Sequence, residues 1–141
     1  MKRNTILVIV VLMSLAILTA ACAAPTPAPV YAEGAEKDQV VAKVAPFAQD
    51  ILDGIRKNDY ATFVKDFDAA TAKAMTPDTF NTIVASLAKL GAYQSHEADT
   101  VQIVDKFYSV TYNVAYEKGS FTMRVVVPKE GTPAVTGLWF K

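Results

Sequence analysis

The apolar positions of this chain change period once. From Val40 to Leu90 they recur at intervals of three and four, and from Ala92 they alternate. Val40, Val44, Phe47, Ile51 and Ile55, with Val41, Ala48 and Leu52 beside them, predict a helix over residues 37–57 with one buried stripe. Pro46 lies inside that stretch and lacks the N–H a helix interior needs, so the helix kinks or starts there, with 47–57 its firm part. Asn58-Asp59-Tyr60 reads as a turn. Asp59 is placed to cap a second helix over 60–67, with Phe63 and Phe67 on one face. Asp68 caps a short third helix over 69–74. Thr76-Pro77-Asp78 opens a fourth: Thr76 as cap, Pro77 in the first helical position and Asp78 at the positive end of the dipole. Phe80, Ile83, Val84, Leu87 and Leu90 form its buried stripe, and Gly91 is the left-handed stop.

Beyond Gly91 the pattern is that of strands. Tyr108, Val110, Tyr112, Val114 and Tyr116 alternate with Ser109, Thr111, Asn113 and Ala115, and Phe121, Met123, Val125 and Val127 repeat the pattern. Turns are expected at residues 104–106, 117–120 and 129–132. They divide this half into four strands of an antiparallel meander, the first (92–104) polar and the last (133–141) ending in Gly137-Leu138-Trp139-Phe140. Helices first and a curved four-stranded antiparallel sheet second is an α+β order.

The N-terminus is patterned differently. Lys2 and Arg3 precede an apolar run over residues 6–18, then the small residues Thr19, Ala20 and Ala21, then Cys22. A basic start and a short apolar run have the form of a secretory signal. The cysteine directly after the small residues resembles the lipobox of bacterial lipoproteins, although Thr19 stands where Leu, Val or Ile is usual. That resemblance implies acylation of Cys22 and a cell-envelope location, anchored by two or three acyl chains because one alone holds only marginally. Cleavage by an ordinary signal peptidase, or retention as a short anchor, are the alternatives. The division is then a signal over 1–21, the lipidated cysteine and a tether over 22–36, and a domain over 37–141. Pro25, Pro27 and Pro29 stiffen the tether toward a polyproline form, with a reach of roughly 40 Å.

Charge and composition narrow the function. The whole chain has 14 basic and 14 acidic residues, and without Lys2 and Arg3 the balance is two negative. With no basic run, nucleic acid is not an expected partner. Cys22 is the single cysteine and His96 the single histidine. The domain therefore has no disulfide and no multi-histidine zinc site, and no calcium-loop pattern is found. No G-x-S-x-G, nucleotide loop or triad spacing is present, and no cofactor is expected.

Asn58-Asp59-Tyr60 leading into Phe63-x-x-x-Phe67-Asp68 resembles the start of a small NTF2-like (cystatin-like, cone-shaped) α+β domain. Leu90-Gly91, the strands and Gly137-Leu138-Trp139-Phe140 are similar to one uncharacterised branch of it, DUF3887. The resemblance covers residues 40–141 and implies a sheet bent around a cavity that some relatives use for ligands or catalysis. Phe63, Phe67, Tyr108, Tyr112 and Trp139 are the aromatic candidates to line it; the plainer reading is that they fill the core. A buried tyrosine hydroxyl needs a partner, which favours Tyr108 and Tyr112. His96, Glu97, Asp99, Asp66 and Asp68 are candidate bases, but alternation puts His96 opposite Glu97 and Asp99. His96 reads first as solvated, and the aspartates as exposed or capping. Three functions follow as expectations. The first is a non-catalytic, membrane-anchored module that binds a small apolar ligand or an envelope protein. The second is a homodimerising module using the polar outer sheet face, and the third is an enzyme with an aspartate and a tyrosine in the cavity.

Overall fold

A computed structural model describes residues 28–141. The signal-like segment, Cys22, Pro25 and Pro27 lie outside the described residues. Helix α1 (Gly34–Lys57) buries Val40, Val44, Ala48, Ile51, Leu52 and Ile55 and runs unbroken through Pro46. Pro46 is tolerated because it sits exposed on the solvent side, where the carbonyl it frees, on exposed Ala42, has water available. Asn58 ends the helix in the left-handed region at φ 52°. Helices α2 (Tyr60–Val64), α3 (Ala69–Ala74) and α4 (Pro77–Leu87) follow, and α4 tightens into a 3-10 turn over Ala88–Leu90. The caps are those the sequence predicts. Asp59, Asp68 and Thr76 accept from the backbone N–H of Thr62, Thr71 and Thr79 at 3.2, 2.7 and 3.3 Å. α2 is shorter than the predicted 60–67 because the chain leaves it to pair with the last loop: Val135 N–H donates to Asp66 O (2.8 Å) and Asp68 N–H to Val135 O (3.0 Å).

The sheet is open and antiparallel, in sequence order β1 (Val30–Tyr31), β2 (Tyr93–Val104), β3 (Phe107–Tyr116), β4 (Gly119–Pro128) and β5 (Gly137–Phe140). It has five strands, not the four expected. The additional strand comes from the stretch read as tether: Val30 pairs with Ile103 and Tyr31 with Gln102. Ala32 N–H then donates to Val101 O at 2.8 Å, and Ala32 is buried. Two residues are too few to show an alternation, so the pattern could not reveal this strand.

α1 packs across β2, β3 and β4. Between them lies the core, formed by the α1 stripe with Phe63, Phe80, Val101, Val110, Tyr112, Val114, Phe121, Met123, Val125 and Val127. Gly54 fixes the α1–α2 approach, since a Cβ there would sit 2.6 Å from the Phe63 backbone. At 1.5 Å per residue α1 is about 36 Å long. It runs from the β1 end of the sheet, where Tyr108 donates to Glu36 Oε1 (3.1 Å), to the opposite end, where Arg56 lies over Tyr93.

Candidate functional site

The end of the domain reached by the α1 C-terminus holds a cleft of about 460 Å³. Its walls come from four places in the chain: Ile55, Arg56 and Asn58 at the end of α1, Val84 and Leu87 on α4, the Ala88–Ala92 link, and the strand-end tyrosines Tyr93 and Tyr116. Gly91, at φ 82°, turns the link toward β2, and a Cβ there would meet Glu117 Oε2 at 2.9 Å. The link is held to the following turn by Glu117 N–H donating to Ala92 O (2.8 Å) and Lys118 N–H to Leu90 O (2.9 Å).

Tyr93 and Tyr116 are direct cross-strand partners, with rings edge to face at 5.8 Å. The Arg56 guanidinium lies 4.6 Å from the centre of the Tyr93 ring and bonds Asp53. Asp53 also accepts from Gln49 (2.9 Å) and Lys57 (3.4 Å). Burial pushes the Asp53 carboxyl up, but Arg56, Lys57 and Gln49 together hold it below the ordinary carboxylate range. Arg56 is thus ion-paired, and Asp53 shares its one negative charge between Arg56 and Lys57. Tyr93 Oη and His96 Nδ1 share a 2.6 Å hydrogen bond. Burial, then Arg56, lowers the His96 pKa against a smaller opposing effect of Asp53, so the imidazole is neutral at pH 7. Burial raises the Tyr116 pKa, and its buried hydroxyl has no hydrogen-bond partner among the described residues. The cleft therefore offers mostly apolar walls and an ion-paired cation, while the unpartnered Tyr116 hydroxyl is buried.

His96 lies on the face opposite Glu97, as alternation has it, but it is not the solvated residue expected. Asp99 is the extra residue of a β-bulge between Ala98 and Thr100, and Gln94 of another between Tyr93 and Ser95. The bulge at Asp99 shifts the register by one, so His96 faces Val114 on the helix side and is half-buried instead of solvated. It lies 5.9 Å from the Tyr112 ring, centre to centre. Glu97 stays exposed opposite Asn113, and the Asp99 carbonyl accepts from Lys37 Nζ at 2.6 Å. Asp68 caps α3. Asp66 is half-buried, its carboxyl raised by burial and then by nearby Asp50. Neither lines the cleft.

The five aromatic candidates are not brought together. Phe63 is core, packed on Phe80 at 4.8 Å and on half-buried Phe67 at 5.3 Å. Tyr112 is core as well; its hydroxyl lacks a partner among the described residues and burial pushes its pKa up to about 12. Tyr108 stands at the opposite end of the sheet. Trp139 lies on the sheet face opposite α1, half exposed, with Arg124 4.5 Å over its ring. The residues that do line the cleft were missed because its two tyrosines meet only through the bulged register. Their one sequence signal is position: Tyr93 opens the first long strand and Tyr116 closes the second. A larger hollow of about 520 Å³ at the other end is bounded by Asp105, Lys106, Lys129 and Glu130 together with Phe107 and Pro128. Among the described residues no cluster of three or more His, Cys, Asp or Glu could hold a metal ion, and no helix is long and apolar enough to cross a membrane.

Residues 48–132 match the family model described as "Protein of unknown function (DUF3887)". No curated protein and no solved structure matches the chain.

Proposed function

The chain belongs to the DUF3887 family, and we propose that it is an extracytoplasmic lipoprotein, held to a membrane through lipidated Cys22, whose domain binds a small apolar ligand without transforming it. The observation that carries the binding is the Tyr93–Tyr116 cleft itself, a concave space of about 460 Å³ with mostly apolar walls. Binding without chemistry is supported by the state of the polar groups: Arg56 is ion-paired with Asp53, and His96 is neutral with Nδ1 engaged by Tyr93. The order of helices followed by an antiparallel sheet supports kinship with NTF2-like domains. The anchor reading is supported by the basic start, the apolar run and the small residues before Cys22.

Native mass spectrometry of the full chain from its own membrane tests the binding, followed by thermal-shift screening with small apolar compounds. A retained mass that disappears in Ala88→Trp, which fills the cleft from its exposed rim, is the expected result. Empty wild-type protein whose melting temperature no compound moves would overturn it. Palmitate labelling lost in Cys22→Ser is expected for the anchor, and unlabelled wild type would overturn that part.

A further inference from the structure

We propose that the β1 end of the sheet docks on the bilayer, so that the anchored domain stands with its Tyr93–Tyr116 cleft facing away from the membrane; this rests on the lipid anchor at Cys22 proposed above. Four large apolar side chains are exposed among the described residues, and three of them share this end: Val30 at 58%, Tyr31 at 48% and Val104 at 46%. Val30 and Tyr31 form β1, and Val104 closes β2 beside their partners Ile103 and Gln102. Half-buried Phe107 and Pro128, paired with each other, continue the rim across β3 and β4. Clustered exposed apolar residues mark a surface that is covered in use, and Tyr with aliphatic neighbours suits the headgroup boundary.

Chain length decides between this end and the other. Cys22 is eight residues before Val30, a separation of at most about 29 Å when fully extended. The cleft lies at the far end of the sheet: Tyr93 is ten residues along β2 from Ile103, the partner of Val30, about 33 Å away. To rest the cleft end on the bilayer, the linking chain would have to run back along the whole domain, farther than it reaches. Lys106 and Lys129 at the docking end are matched by Asp105 and Glu130. Contact is therefore apolar and independent of anionic lipid. It is weak by itself and effective because the anchor keeps the surface close.

The test uses the full lipidated chain in phosphatidylcholine vesicles carrying nitroxide-headgroup lipid. One fluorophore is placed through Lys106→Cys, in the turn at the docking end, or through Lys118→Cys, in the turn at the cleft end; lipidation consumes the Cys22 thiol. The two turns lie about 33 Å apart, at opposite ends of β3. The label at 106 is expected to be quenched at least threefold more than the label at 118, unchanged by added anionic lipid or by salt. Tyr31→Ser with Val104→Ser should lower that quenching while far-ultraviolet circular dichroism stays unchanged. Equal quenching at the two positions in lipid-bearing protein overturns the docking alone, and so does salt-sensitive quenching. Protein that carries no lipid overturns the anchor and the docking with it.

Discussion

Tyr112→Phe tests the core reading at one atom. The Tyr112 ring is 2% exposed, and its hydroxyl has no partner among the described residues. A buried hydroxyl left unsatisfied costs about 1–3 kcal/mol, while phenylalanine keeps the ring and its packing. At pH 7 the variant should be more stable than wild type by about 1 kcal/mol, raising the melting temperature by roughly 4 °C. The alkaline limb gives a second reading. Burial raises this phenol from 10.0 to about 12. The unfolded chain therefore releases the proton first, and wild type loses stability as pH rises from about 10 to about 12. The loss is on the order of 2–3 kcal/mol, and in Tyr112→Phe this component should vanish. Urea unfolding at pH 7 and pH 11.5 measures both, provided the slope with denaturant stays the same. A variant less stable by 1 kcal/mol at pH 7, or one with the full alkaline loss, would refute the assignment and show that the hydroxyl is bonded in the folded protein.

Gly54→Ala should cost about 1–3 kcal/mol by urea unfolding, because its Cβ meets the Phe63 backbone, which cannot swing aside as a side chain would. His96 is held neutral with its pKa below 6.5, so the folded state resists protonation and stability falls as pH drops below about 6.5. His96→Gln should flatten that slope in thermal melts between pH 7 and pH 5. A Cβ at Gly137 would lie 2.5 Å from the Trp139 ring. Gly137→Ala should therefore displace the single tryptophan from under Arg124 and shift its fluorescence, with little change in far-ultraviolet dichroism. Thr76→Ala, which removes the α4 cap, should lower stability by about 1 kcal/mol in the same urea assay.

What the sequence disclosed was local chemistry. Asp59, Asp68 and Thr76 cap through their own side chains, and an alternation as long as Tyr108 to Tyr116 leaves little choice of face. What it concealed depended on register. Asp99 and Gln94 each add one residue to β2, and nothing in their type marks a bulge. Yet those additions put His96 on the helix side and bring Tyr93 opposite Tyr116. The early aromatic candidates were chosen by side-chain type, which carries no information on which end or face a residue occupies. Phe63 and Phe67 pack on each other, Tyr108 bonds Glu36, and Trp139 lies on the sheet face opposite α1. β1 was hidden because Val30 and Tyr31 follow prolines and number only two.

That two-residue strand has a mechanical consequence. Any pull arriving from the N-terminal side meets β1 first, and only a few backbone bonds hold it to the sheet. Val30 and Tyr31 would peel from Ile103 and Gln102, and the Ala32 bond to Val101 would go next, before the force reached α1 and the buried residues beneath it. The fold thus carries a sacrificial link at its edge that can give way by a few residues and leave the globule intact.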